Sequence, residues 1–108
     1  MYKNNTMDII YIDEAIKEFA DSFTQPTEAK IIRGFALLRD YNHRVRMPNA
    51  RKITSRIYEL RILGLLQVRL FYTFHKDRIF ILHGFIKKTQ ELPRNELAMA
   101  KRKLSLLD

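Results

Sequence analysis

Arg61 in "IYELRIL", Arg69 in "QVRLFYTF", and the adjacent lysines Lys87 and Lys88 after "RIFILHGFI" are the residues of this chain best suited to chemistry. The segments that carry them alternate apolar and polar residues, the pattern of a half-buried strand. If Tyr58, Leu60, Ile62, Val68, Leu70, Tyr72, Phe80, Leu82 and Ile86 face a core, strand geometry sends Glu59, Arg61, Arg69, Thr73, His83, Phe85 and Lys87 to the opposite face. Lys88 has the parity of the core face unless the strand has ended before it. Such a gathering of cations suits phosphate chemistry. An RNA chain can be cut by its own 2′-hydroxyl, with no metal, when cations stabilise the added negative charge of the transition state. Arginine fits this task because its planar fork holds two phosphate oxygens and stays charged.

Phe85 or Phe71 on that face would stack a base, a contact worth about 1–3 kcal/mol in single-strand binders. His83 is a candidate acid or base. Taken singly, each residue also has an ordinary role: Arg61 as a partner of Glu59, Arg69 as a solvated sheet residue, the phenylalanines as a surface for another protein. His43, His75 and His83 lack the helical i, i+4 spacing of a zinc site, and there is no cysteine, so neither a metal nor a cofactor is expected.

Charge is distributed unevenly. The net charge is +8, but residues 1–40 hold five Lys/Arg against seven Asp/Glu, and residues 41–108 hold fifteen against five. A one-sided basic surface gains free energy by releasing counterions from a nucleic acid, although a charge run alone also serves solubility. Arg44, Arg46, Arg51, Lys52 and Arg56 fall in "YNHRVRMPNARKITSR", which sustains neither period and reads as an ordered basic surface loop. No stretch has the roughly 18 apolar residues of a membrane helix, and "MYKNNTMDIIYIDEA" lacks a signal peptide's apolar run. A cytoplasmic protein is expected.

The elements that must position these cations follow from period and punctuation. "MDIIYID" reads as a first strand; Ala15, Ile16, Phe19, Ala20 and Phe23 recur at helical spacing; Pro26 opens a second helix with Ala29, Ile31, Ile32, Phe35 and Leu38 on one face. Three strands follow, joined at Gly64 and at a "HKDR" turn, the last apolar on both faces as a central strand would be. Pro93 then opens a helix with Leu97, Ala100, Leu104 and Leu107 in one stripe. The expectation is a single α+β domain over residues 1–108: an N-terminal strand and helical hairpin, a three-stranded antiparallel meander and a C-terminal helix. Its helices lie mainly on one face of a small sheet, and the other face is open.

"KITSRIYELRI", "QVRLFYTFHKDRIFILHGFIKKTQELP" and "ELAMAKRKL", with "MPNARK" before them, resemble the phage-derived HigB-like branch of the RelE/ParE toxin superfamily over nearly the whole chain. The resemblance implies a RelE-like fold and the toxin of a type II toxin–antitoxin pair, a ribosome-dependent mRNA endonuclease. It implies a cognate antitoxin, often with a helix-turn-helix domain, through which alone operator DNA would be bound. Carried over by motif, Arg69 and Lys88 stabilise the phosphate, and Lys87, Arg61 and Lys52 match further basic positions, with Lys52 or Arg61 neutralising or orienting it; read from the residues themselves, Arg51, Arg46, Phe85 and His83 would, with Lys52, contact RNA. RelE has a catalytic tyrosine in its final helix where "PRNELAMAK" has none, so His83, a lysine or the ribosome would serve as base. The ParE branch shares the fold and poisons DNA gyrase; that activity, or an inactive nucleic-acid- or antitoxin-binding protein, remains open at this point.

Overall fold

A computed structural model describes residues 5–108; the expectation of an N-terminus without a targeting segment extends into residues 1–4, outside those described. The order is β1 (Ile9–Tyr11), α1 (Glu14–Asp21), α2 (Thr27–Tyr41), a 3₁₀ turn (Asn42–Arg44), β2 (Ala50–Lys52), β3 (Tyr58–Ile62), β4 (Val68–His75), β5 (Arg78–Ile86) and α3 (Arg94–Ser105). Local chemistry sets several boundaries. The Asp13 carboxylate accepts from the backbone N–H of Ile16 at 3.1 Å and caps α1. Pro26 and Pro93 immediately precede α2 and α3, where a missing N–H costs nothing. Lys76 and Asp77 both have positive φ, at 50° and 62°. That is the backbone which a two-residue hairpin between twisted strands requires.

The five strands form one mixed sheet in the order β1-β5-β4-β3-β2, with β1 parallel to β5 and every other pair antiparallel. The fold is α+β, and the expected meander is β3-β4-β5. Two readings, of the basic segment and of the sheet's centre, are corrected. Residues 50–52 are not loop but an edge strand, too short for a periodic signal. The central strand is β4, buried without a break from Val68 to Thr73; β5 is apolar on both faces because helices cover both.

Two of the three helices lie on one face, but the other is not open as expected, since α3 covers part of it. Against one face α1 and α2 pack Ile16, Ile31 and Leu38 onto Leu60, Ile62, Val68, Leu70, Tyr72, Ile79 and Ile81. Gly34 lets α2 sit this close to β3: a Cβ there would lie 2.9 Å from Ile62 Cδ1. Ile32, expected on this face, is 62% exposed, because the buried stripe of α2 runs through Ile31, Gly34 and Leu38. Against the other face α3 packs Ala100, Leu97, Leu104 and Leu107 over Ile57, Phe71, Leu82 and Phe85, so its predicted stripe is the buried one.

Phe80 and Leu82 also lie on the α3 face, opposite to expectation. The cause is a β-bulge. Tyr72 pairs with Ile81 but Phe71 pairs with His83, so Leu82 is an extra residue and parity flips past it. Ile79 and Ile81 face the helical hairpin before the bulge, whereas His83 and Phe85 share the α3 side after it. Among the described residues no helix is long and apolar enough to cross a membrane.

Candidate functional site

The α3 helix covers only part of its face. Across β2, β3 and β4 the remainder carries charge: Arg51 stands opposite Glu59, Arg61 opposite Arg69, and Arg69 in turn opposite Phe85. Glu59 is fully buried. Arg51 Nε donates to Glu59 Oε1 at 2.8 Å. The Nε atoms of Arg61 and Arg69 each lie 3.9 Å from a Glu59 oxygen. That separation is beyond hydrogen-bonding reach. One carboxylate thus faces three guanidinium groups.

Arg69 is only 4% exposed, a correction to its expected place on an open surface. Its Nη1 donates to the Val68 carbonyl at 3.1 Å and its Nη2 to Gln67 Oε1 at 3.4 Å. Arg69 Nε and Glu59 Oε2 are both buried without a hydrogen-bond partner. Burial pushes the Arg69 pKa down; Glu59 opposes that shift, and the nearby charges of Arg61 and Arg51 add to it. Since a guanidinium starts so high, the group stays charged at neutral pH. The result is a desolvated cation with incomplete compensation, a condition met more often at sites of function than in structural ion pairs.

Above it lies a groove of about 440 Å³ lined by Arg61, Gln67, Arg69, Lys87, Lys88, Thr89 and Gln90. Four cations and no acid line it. The backbone N–H of Lys87 donates to the Gln67 carbonyl at 2.7 Å, fixing the segment after β5 beside the start of β4. Because β5 ends at Ile86, Lys88 is released from strand parity and reaches the same groove as Lys87. The fold therefore brings Arg61, Arg69, Lys87 and Lys88 together, with Arg69 as the buried floor and Lys88 as the exposed rim.

The expected RNA contacts divide differently. Phe85 is 5% exposed and Phe71 fully buried, packed on each other at 5.3 Å beneath α3, so neither can stack a base. His83 leaves the cationic groove: its Nε2 lies 2.7 Å from Glu96 Oε1, and the ring lines a separate cleft with Asp13, Met99 and Lys103 between α1 and α3. Arg46, Arg51 and Lys52 line a second groove, at the β2 edge. Among the described residues no three His, Asp or Glu side chains gather where they could hold one metal ion. Sequence reasoning offered Glu59 as a partner of Arg61 but missed its sharing with Arg51 and Arg69, and missed Gln67, Thr89 and Gln90 as groove walls. The signal for Glu59 was present, an acid inside an apolar strand close to an arginine. The polar walls carry no pattern of their own.

Against known families, the model described as "Phage derived protein Gp49-like (DUF891)" matches residues 18–105, which is more than four-fifths of the chain and includes every cation of the groove. No curated protein matches.

Proposed function

This chain belongs to the phage-derived Gp49-like family, a RelE-like toxin group, and from that premise we propose that it is the toxin of a type II toxin–antitoxin pair acting as a ribosome-dependent mRNA endonuclease. The observation that carries the reading is the groove above Arg69. Four cations converge on it, one of them desolvated, and no acid lines the groove. In such a site each charge acts more strongly on a developing oxyanion than it would in water.

In this mechanism the scissile phosphate enters the groove and the messenger's 2′-oxygen attacks the phosphorus in line, while the P–O5′ bond breaks to give a 2′,3′-cyclic phosphate and a 5′-hydroxyl. Arg69 and Lys88 hold the non-bridging oxygens, and Lys87 and Arg61 neutralise the charge that builds on them. The 3.4 Å bond from Arg69 Nη2 to Gln67 is long, so a phosphate oxygen replaces it at little cost. The chain has a RelE-like fold in this reading, a cognate antitoxin as its partner, and flanking RNA held by Arg46, Arg51 and Lys52. Among the described residues no side chain of α3 lines the groove and both groove lysines serve as cations, so the ribosome supplies the base that takes the 2′-hydroxyl proton and the acid that protonates the departing 5′-oxygen.

The test is primer extension on cellular mRNA after induction. New cleavage sites appear with the wild-type chain and fall by about 10²–10³-fold in Arg69→Ala or Lys88→Ala, the usual effect of removing one oxyanion donor. Cuts unchanged in both variants would overturn the assignment, and intact transcripts with DNA-damage signalling would replace it with gyrase poisoning.

A further inference from the structure

Burial of Phe71 and Phe85 leaves the cationic groove without an aromatic surface, yet a second groove around the edge of the sheet has both cations and rings. We infer that this groove, at the β2 edge, is a nucleotide subsite of single-stranded RNA that stacks one base and holds its phosphate. The inference deepens the nuclease reading and rests on it for the identity of the RNA as messenger.

The groove encloses about 570 Å³ and is lined by His43, Arg46, Arg51, Lys52 and Tyr58 with apolar Val45, Met47 and Ala50. Residues 41–58 include no acid, so nothing in that segment repels a phosphate. The rings are held from behind. His43 stacks on Phe74 with centroids 3.7 Å apart, and Tyr58 stacks on Tyr72 at 5.5 Å and meets Phe74 edge-on. His43 is nevertheless exposed, so the ring face turned away from Phe74 is free for a base. A ring already fixed loses little further entropy when a base lands on it. Lys52 Nζ lies 5.8 Å from the Tyr58 ring centroid. A cation therefore stands beside the same platform.

The two grooves are linked through the sheet. Arg51 borders the second groove while its Nε is bonded to Glu59, the carboxylate shared with Arg61 and Arg69. Arg61 in turn donates to the Pro48 carbonyl at 3.2 Å, tying down the loop that walls the second groove. Cations thus run from Lys88 and Lys87 through Arg69, Arg61 and Arg51 to Lys52 and Arg46, a track for a strand that crosses the β2 edge. A base at one end and the scissile phosphate at the other would fix the register of cutting.

Binding of a fluorescein-labelled single-stranded RNA oligonucleotide to the full chain, read by anisotropy across a NaCl titration, tests this. The salt slope of Arg46→Ala/Lys52→Ala falls by about 0.7, the value for one phosphate contact on a single strand. His43→Ala weakens binding about 5- to 150-fold, the loss expected of one stacked base. Lys17→Ala, on α1 against β5 and three strands away from β2, changes neither. Wild-type binding and slope in the first two variants would overturn the inference, as would an acidic peptide that occupies the groove when RNA does not. If the wild-type chain cuts no messenger on ribosomes yet binds RNA through these residues, the nuclease reading fails and the subsite stands.

Discussion

On the face covered by α1 and α2, β3 and β4 present Leu60, Ile62, Val68, Leu70 and Tyr72, all buried and all apolar or aromatic. On the α3 face the same two strands present Glu59, Arg61, Arg69 and Phe71. The first face is sealed by two helices, the second by one 12-residue helix that packs on β4, β5 and Ile57 just before β3. Apolar burial stabilises at roughly 25 cal/mol per Å², whereas desolvating a carboxylate and a guanidinium costs several kcal/mol per ion before their attraction offsets it. The charged half of the second face therefore contributes little to folding. Its arrangement makes sense as a cost borne for the groove above it, the familiar exchange of stability for activity.

Three substitutions test how far the two faces differ, beginning with the largest effect. Glu59→Gln removes the only negative charge among three arginines and leaves Arg69 buried and uncompensated. Urea unfolding then shows a loss of about 3–5 kcal/mol. Leu60→Ala, the next residue but on the apolar face, costs about 2–5 kcal/mol through cavity formation and leaves cleavage per folded molecule intact. Equal stability of Glu59→Gln and wild type would mean that the cluster is not electrostatically coupled. Arg69→Met next separates function from folding: cleavage falls about 10²-fold or more, while the unfolding midpoint holds or rises, because Arg51 still neutralises Glu59. A clearly lowered midpoint would make the guanidinium a structural group.

The smallest effect concerns the ion pair that joins the layers. Asp13 caps α1 on one side of the sheet and accepts from Lys103 of α3. Its carboxyl is held below the ordinary value first by Lys103 and then by the Ile16 N–H. A carboxyl whose pKa is lower folded than unfolded, where it is about 3.9, contributes stability that is present above that value and lost as pH falls through the folded one. Asp13→Ala therefore destabilises by about 1–2 kcal/mol at neutral pH and shows a shallower acid limb below about pH 4. An unchanged acid limb would show that the two layers are not linked through this pair.

Much of this architecture was readable because it is local. The helices of Glu14–Asp21, Thr27–Tyr41 and Arg94–Ser105 follow from period and prolines, and the Lys76–Asp77 turn from its polar character between two apolar runs. That Arg61 and Arg69 share a face followed from alternation alone, since both lie on strands whose apolar set is unambiguous; that they stand opposite one another is a matter of register. Ala50–Lys52 was not legible, because three residues carry no period and an edge strand is recruited by its neighbour.

What composition and alternation settled by themselves was the set of β3 and β4 side chains excluded from the first core and the half of the chain that holds the positive charge, because both depend on residues close in sequence. Which of the excluded side chains meet water was decided by the tertiary structure. One bulge at Leu82 changed the parity of β5, and α3, arriving from the far end of the chain, buried Phe71 and Phe85 and left Arg61, Lys87 and Lys88 around a groove. Glu59 likewise became the hub of three arginines only when β2, β3 and β4 came into register. Register and helix cover are long-range events, and no pattern within a single strand encodes them.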